Sequence, residues 1–241
     1  MATKALFNTV VNWFIKQRID QIQNFMDHPI ETQNGVLFSQ LYYAENTDYG
    51  KIHGFSSISS YKDFTKNVPI VTYEDFEPII EKARQGQRDV FWPGYVKNFA
   101  KSSGTTNAKS KFIPITDESL ELCHMKAGKD LVSIYANNHP DNQLFINKNL
   151  RLGGSADFYE NFNTKFGDLS AILIDNLPFW VEITTTPSKK VSLMSEWETK
   201  LEAIVSEVTN EEVGSLTGVP SWMMVLLQRI LAEKGHESIS E

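Results

Sequence analysis

Apolar residues recur every three to four positions along much of the chain, and short apolar runs lie between these stretches. The first spacing is typical of amphipathic helices, and the second of buried strands. Helices are therefore predicted over residues 3–27, 31–44, 61–66, 73–85, 117–136, 196–207 and 219–234. Extended segments or strands are predicted over residues 68–72, 96–100, 112–116, 144–147, 170–174 and 213–218.

The same spacing predicts which side of each helix packs inward. On the first helix they are Leu6, Val10, Trp13, Phe14, Ile22, Phe25 and Met26, an apolar face in which Gln17 is the one polar position. On the second helix they are Val36, Leu37, Leu41 and Tyr42. On the helix over residues 117–136 they are Leu120, Cys123, His124, Ala127, Leu131 and Ile134.

Strands that alternate with helices of ten to twenty residues predict the α/β class, with a mainly parallel β-sheet covered by helices. With 241 residues, 41% of them hydrophobic, the chain can bury a sizeable core. Length alone allows one large domain or two small ones, and no repeat or low-complexity linker marks a boundary within residues 1–241.

Charge and cysteine content exclude several classes of protein. The net charge of −7 and the absence of a basic stripe argue against a nucleic-acid partner. Cys123 is the one cysteine, which leaves no disulfide framework and no thiolate zinc cluster. No apolar run is long enough to span a membrane, and the N-terminus lacks the pattern of a signal peptide. A soluble, cytoplasmic protein without a membrane partner is the expectation.

Residues 101–116 carry the chemistry that is easiest to interpret. Ser102, Ser103, Thr105, Thr106 and Ser110 place five hydroxyls within nine residues, around Gly104 and between two predicted strands. A polar loop of this kind can direct hydroxyls and backbone amides at one anion. Phosphate binding is therefore the leading hypothesis, and an ordinary Ser/Thr-rich hairpin loop is the alternative. A Walker loop is excluded because it requires a second glycine, a Lys-Ser/Thr pair and a following helix.

Three acidic residues precede this loop, at Glu74, Asp75 and Glu77. They fall in the first turn of the helix over residues 73–85, where carboxylates favour the helix dipole. Thr72 is predicted to cap that helix, with Asp75 as an acidic variant of the capping box. The three carboxylates are therefore interpreted as a solvated face rather than a catalytic pair.

The segment Ser102-Ser103-Gly104-Thr105-Thr106, followed by Lys111, resembles the phosphate loop of the adenylate-forming enzymes. Its continuation, Lys111-Phe112-Ile113-Pro114-Ile115-Thr116, resembles one branch of them, the auxin-responsive Gretchen Hagen family of acyl-acid amido synthetases and its bacterial relatives. Residues 46–55 and 68–76 resemble further segments of that family, in the same order along the chain.

This resemblance implies an ATP-dependent ligase that converts a carboxylic acid into an acyl-adenylate and transfers the acyl group to an amine of the amino-acid class. Ser102, Ser103, Gly104, Thr105 and Thr106 would hold the phosphates of ATP, and Mg²⁺ would come with the nucleotide. Lys111, or alternatively Lys109, would offset charge as pyrophosphate departs.

Val219-Pro220-Ser221-Trp222 resembles the segment whose helix walls the acyl pocket in these enzymes, although a simple helix start is the alternative. Leu152-Gly153-Gly154-Ser155 is predicted to be a loop that lines a pocket or merely turns the chain. No spacing of His, Cys, Asp or Glu predicts a protein-held metal site.

Members of the family are about twice as long as this chain, and two of their later signatures do not occur here. The resemblance therefore implies that residues 1–241 are the N-terminal part of a large adenylation domain, without an internal boundary. Such a portion is expected to be inactive alone and prone to self-association through an open sheet edge. An acyl-CoA ligase and a non-catalytic nucleotide-binding or assembly module are the alternative functions.

Overall fold

The fold is described from a computed structural model that covers residues 2–102, 110–142, 144–154 and 158–238. Its contacts divide the chain into two compact units. The first, here called the hairpin unit, comprises residues 20–119 and 158–166. The second, the parallel-sheet unit, comprises residues 1–19, 120–157 and 167–241. Whether residues 1–241 belong to one larger domain stays a prediction.

The helices and strands are numbered in chain order. The helices are α1 (Ala2–Lys16), α2 (Arg18–Asp27), α3 (Pro29–Ala44), α4 (Asp48–Ile52), α5 (Tyr61–Asn67), α6 (Tyr73–Arg84), α7 (Asp117–Ser119), α8 (Lys126–Asn138), α9 (Leu169–Asp175), α10 (Phe179–Thr184), α11 (Lys189–Ser192), α12 (Trp197–Val208) and α13 (Pro220–Lys234). A 3₁₀ turn covers Phe55–Ser57, and a π-helical segment, Leu120–Met125, joins α7 to α8. The strands are β1 (Asn98–Lys101), β2 (Phe112–Ile115), β3 (Lys148–Leu152), β4 (Tyr159–Asn161), β5 (Thr164–Gly167), β6 (Thr185–Thr186) and β7 (Val213–Gly218).

The hairpin unit is built on a sheet with strand order β2-β1-β5-β4. Its core places Phe166 at the centre, 1% exposed, with ring centroids of Phe99 at 5.6 Å and Tyr159 at 4.7 Å. Ile80 and Ala83 of α6 complete this core from the helical side. Aromatic residues bury large areas, so this stack holds the sheet against α6.

Helix α6 begins where the sequence predicts. The Thr72 hydroxyl oxygen accepts the N–H of Asp75, and the Asp75 carboxylate accepts the N–H of Thr72, which completes the predicted capping box. Hydrogen bonds from the backbone and hydroxyl of Thr72 hold the pKa of Asp75 below its ordinary value. The cap thus fixes the start of α6, the helix that Tyr73 connects to β2 through a hydrogen bond.

The parallel-sheet unit contains three strands in the order β6-β3-β7, and β3 runs parallel to both neighbours. Leu150 and Leu152 of β3 are buried against α12 and α13. Ile204 and Leu226, the central residues of these two helices, have no exposed surface. This layer of helices over a parallel strand matches the predicted pattern.

The chain is mixed α/β, and two small sheets take the place of the single sheet that the sequence predicts. β1–β2 and β4–β5 are antiparallel pairs, whereas β3 is parallel to both β6 and β7. The predicted strand over residues 170–174 is helix α9, and the one over residues 144–147 is displaced to Lys148–Leu152. Short apolar runs suit a buried strand or a buried helix equally, and the tertiary contacts decide.

The predicted inward faces of three helices are partly wrong. The first helix is interrupted at Gln17, and its residues Leu6, Val10, Trp13 and Phe14 are 45–65% exposed. Asn12 and Ile15 are buried instead, because α1 packs on α8, where the hydroxyl of Ser133 donates to the carbonyl of Ile15 at 2.8 Å. Other residues predicted to be buried but found exposed are Met26, Val36, Tyr42, Cys123, Ala127, Leu131 and Ile134.

Across the ranges that the structure describes, no helix is both long and apolar enough to cross a lipid bilayer.

We expect Phe166→Ala to lower the free energy of unfolding by about 3–5 kcal/mol, because it removes the centre of the aromatic stack. Phe162→Ala in the same unit is the control, since Phe162 is 60% exposed, and it should cost less than about 1 kcal/mol. Urea unfolding followed by circular dichroism measures both. Equal losses in the two variants would contradict the assigned core.

Candidate functional site

The loop predicted to bind phosphate closes an antiparallel hairpin. β1 and β2 pair with Lys101 opposite Phe112, so both predicted flanking strands are confirmed. Beyond this pair, the N–H of Ser102 donates to the carbonyl of Lys111 at 2.8 Å. The N–H of Lys111 donates in return to Oγ of Ser102 at 3.0 Å. The structure therefore brings together two of the predicted phosphate-binding residues, Ser102 and Lys111, at the base of the loop.

Ser103, Gly104, Thr105 and Thr106 lie outside the described residues, as does the alternative lysine, Lys109. Their phosphate-binding role stays a prediction. The structure fixes the residues on either side of them, because Ser102 and Lys111 are hydrogen-bonded to each other.

The ammonium group of Lys111 has a protein partner. Its Nζ lies 2.9 Å from Oε1 of Glu74 and 4.7 Å from the ring centroid of Tyr73. The hydrogen bond from Lys111 holds the pKa of Glu74 below its ordinary value. Both side chains are largely exposed, at 41% and 67%. Water and salt weaken such a pair, so an anion that binds Lys111 more strongly could replace Glu74.

Tyr73 and Glu74 are contacts that sequence reasoning missed. The hydroxyl oxygen of Tyr73 accepts the N–H of Phe112 at 2.8 Å, and this bond ties the start of α6 to β2. Glu74 is solvated, as predicted, yet it also reaches Lys111. Little in the sequence indicates this contact. An acidic residue in the first turn of a helix is already explained by its favourable interaction with the helix dipole.

The second set of predicted residues lies at the carboxyl end of β7. Val219 precedes α13 and Pro220 occupies its first turn, so the predicted helix start is confirmed. Val219 and Trp222 are 57% and 51% exposed, and the ring of Trp222 lies 4.7 Å from that of Trp197 on α12. The structure thus presents these residues as an accessible apolar surface, and their role as an acyl pocket stays a prediction.

The loop after β3 lies beside this segment. Leu152 is the register partner of Gly218, so Gly153 and Val219 leave neighbouring parallel strands at the same edge. Ligands bind preferentially at this edge of a parallel sheet. A methyl group added at Gly218 would lie 3.0 Å from the carbonyl oxygen of Leu152, so the pairing leaves little room for a side chain there.

Lys200 is a third residue that sequence reasoning missed. It is 2% exposed, and its Nζ donates to the carbonyl oxygens of Gly153 and Gly154 at 3.1 and 3.0 Å. The available signal was its spacing, because Lys200 follows Trp197 by three residues and precedes Ile204 by four, within the apolar face of α12.

No group of three or more His, Cys, Asp or Glu side chains suited to a metal ion occurs within residues 2–102, 110–142, 144–154 and 158–238. The hydroxyl of Ser102 and the ammonium group of Lys111, at the base of the hairpin loop, suit an anion such as phosphate rather than a cation.

Three comparisons bear on this arrangement. Residues 18–241 match the family model described as the GH3 family N-terminal domain. The chain is 31% identical over 101 residues to an indole-3-acetic acid-amido synthetase of Arabidopsis thaliana, and 30% identical over 104 residues to a jasmonoyl–L-amino acid synthetase of Nicotiana attenuata. These alignments cover 42% and 43% of this chain and 18% of each relative.

The fold is similar to that of a solved structure, the GH3.15 acyl acid amido synthetase. The TM-score is 0.74 at 16% identity, over 90% of this chain and 39% of the other. The chain therefore spans well under half the length of the relatives that it matches. Because the family match covers nearly all of it and agrees with the loop motif, the chain belongs to the GH3 family, whose N-terminal domain its residues 18–241 match.

Proposed function

We propose that this chain is part of an ATP-dependent acyl-acid amido synthetase. A carboxylate oxygen of the acid attacks the α-phosphorus of ATP, the bond to the bridging oxygen breaks, and pyrophosphate leaves. The nitrogen of an amine, of the amino-acid class, then attacks the acyl carbon. AMP leaves with the electron pair of the broken C–O bond, and the amine gives up a proton. Mg²⁺, bound with the nucleotide, would offset phosphate charge.

One observation carries the proposal for the nucleotide. The hairpin places Ser102 and Lys111 at the two ends of a hydroxyl-rich loop, in a chain that belongs to the GH3 family. Preorganised donors of this kind stabilise charge that develops on a departing phosphate. Ser103, Gly104, Thr105 and Thr106 would supply the remaining donors from within the loop.

The catalytic role proposed for Lys111 requires it to exchange partners. Its exposed ion pair with Glu74 holds the ammonium group near the loop without burying it. A polyphosphate carries more charge than one carboxylate and forms stronger charge-assisted hydrogen bonds. Lys111 would therefore leave Glu74 for pyrophosphate as charge builds on it.

The acid would be held at the carboxyl edge of the parallel sheet. Val219, Pro220, Ser221 and Trp222 are accessible there, and Val219 and Trp222 provide apolar surface. Small-molecule sites combine apolar side chains with a few convergent polar groups. An aromatic or aliphatic acid fits this chemistry, so we propose these four residues as the acyl-binding segment.

A second candidate function, a non-catalytic binding or assembly module, is supported by the same ion pair. Glu74 and the ring of Tyr73 give Lys111 partners without any nucleotide. In that case Lys111 would only brace the hairpin against α6, and its removal would leave no catalytic effect to measure.

Carboxylate-dependent exchange of labelled pyrophosphate into ATP tests the proposal, with the longest product that the gene encodes and a panel of aromatic and aliphatic acids. We expect exchange with at least one acid. Ser103→Ala combined with Thr105→Ala should slow it by roughly 100-fold or more, because phosphate donors are lost. A full rate in this variant would contradict the assigned roles. Discharge of the adenylate by an amino acid, rather than by CoA, separates the amido synthetase from a CoA ligase.

A matched pair of variants tests Lys111. Lys111→Met should slow exchange by roughly 100-fold, because a charge that stabilises pyrophosphate is lost, whereas Glu74→Gln should leave the rate nearly unchanged. Equal effects of the two variants would favour the bracing role.

The pKa of Glu74 gives an independent readout by NMR. In Lys111→Met it should rise toward the ordinary value of 4.5, and Lys101→Met should leave it unchanged. Because the folded pKa is lowered, the pair stabilises the fold above pH 4.5, and this contribution is lost as pH falls through the folded pKa.

We also propose that this 241-residue chain self-associates. Within the described residues, β7 pairs only with β3, and its Leu216 is 46% exposed. An edge strand with one open side and exposed apolar residues favours pairing with another copy. Light scattering at micromolar concentration should show oligomers. Leu216→Lys should reduce them, whereas Ile52→Lys, at a site that is 76% exposed on α4, should not. A monomeric mass for the unaltered chain would refute the proposal.

A further inference from the structure

A buried ammonium group lies among the apolar side chains of the parallel-sheet unit. Lys200 projects from α12, whose residues Leu201 and Ile204 are 8% and 0% exposed, and is itself 2% exposed. Its nitrogen donates to two backbone carbonyls, those of Gly153 and Gly154. Burial lowers the pKa of Lys200, and the charge of Asp168 opposes this shift from beyond ion-pair distance. Within the described part of the chain, no carboxylate forms an ion pair with it.

This arrangement is costly for a residue whose task is only to fill the core. A buried charge loses hydration, and two neutral carbonyls replace only part of it. A methionine at the same position would fill a similar volume without that penalty. The benefit that offsets this penalty must come from the two hydrogen bonds, which hold the backbone of Gly153 and Gly154 after β3.

The loop is held on its other sides as well. The N–H of Gly154 donates to Oγ of Ser170 at 2.9 Å. A methyl group added at Gly154 would lie 2.8 Å from Oδ2 of Asp168, and one added at Gly153 would lie 2.3 Å from Cδ1 of Ile174. Lys200, Ser170 and the side chains of α9 therefore fix Gly153 and Gly154 at one position.

The same helix also holds the segment proposed to bind the acid. Trp197, one turn before Lys200 on α12, contacts the ring of Trp222. The register pair Leu152 and Gly218 brings the two segments out of the sheet side by side. One rigid helix thus sets the position of both segments at the carboxyl edge of β3 and β7.

We propose that Lys200 is a positioning residue for the acyl acid, which fixes the Gly153–Gly154 loop as one wall of the site beside Val219–Trp222. This inference rests on the proposed function and deepens it. The ammonium group acts through the two carbonyls, and it need not touch the substrate. Loss of its hydrogen bonds would loosen the wall and weaken binding of the acid, while the hairpin that is proposed to bind ATP keeps its own contacts.

The test compares Lys200→Met with Lys190→Met in pyrophosphate exchange by the longest gene product. Lys190 is exposed on α11 in the same unit, so its variant is a matched control. Lys200→Met should raise KM for the acid by about 10- to 100-fold, because the binding geometry is lost. KM for ATP should change by less than about two-fold, and Lys190→Met should change neither constant.

Gly154→Ala gives a second route that leaves the buried charge in place. The added methyl group would displace the loop from Asp168 and Ser170, so KM for the acid should rise selectively again. This variant decides the question if Lys200→Met does not fold. Hydrogen exchange of the backbone amide of residue 154 should accelerate in either folded variant.

The outcomes distinguish the positioning role of Lys200 from the proposed synthetase activity on which it rests. An unaltered protein that shows no exchange with any acid overturns both together. Exchange in the unaltered protein, with the ratio of the two KM values unchanged in Lys200→Met and in Gly154→Ala, overturns the inference alone. A fall in thermal stability without a change in that ratio likewise assigns Lys200 a purely structural role.

Discussion

The parallel pairing of β3 with β7 is the constraint on which the candidate acid site depends. Because Leu152 lies opposite Gly218, the chain leaves both strands at the same edge. Gly153 thus comes beside Val219, although the two residues are 66 positions apart in the sequence. A methyl group added at Gly218 would lie 3.0 Å from the carbonyl oxygen of Leu152, so this pairing leaves little room for a side chain. Helices α12 and α13 pack against Leu150 and Leu152 of β3, and this packing holds the strand in place.

In the hairpin unit, the contacts at the base of the β1–β2 loop hold its two ends in place. Reciprocal hydrogen bonds between Ser102 and Lys111 close the loop, and Tyr73 secures β2 to the start of α6. Glu74 keeps the ammonium group of Lys111 near the loop in an exposed ion pair. These contacts are weak individually, yet all of them act on the few residues at the loop's base. The result is a preorganised frame with a cation that remains free to change partners.

Sequence patterns predicted the elements better than their buried faces. The capping box at Thr72, the strands around the hydroxyl-rich loop and the start of α13 at Pro220 follow from local chemistry, and the structure contains them. The inward faces of α1 and α8 do not follow, because Leu6, Trp13 and Leu131 are exposed while Asn12 and Ser133 are buried. Hydrophobic spacing reports which side of a helix is apolar, but only the neighbouring helix decides which side has a partner.

The sequence by itself determined the family, the position of the hydroxyl-rich loop and the order of most helices, since each depends on residues close together in the chain. The tertiary structure decided that the strands divide between two small sheets, since pairing depends on residues far apart. It also decided that residues 170–174 are helical and that Glu74 meets Lys111. Lys200 shows the limit most clearly. Its spacing marks it as unusual on an apolar face, but only folding brings two carbonyls within reach of its ammonium group and makes its burial tolerable.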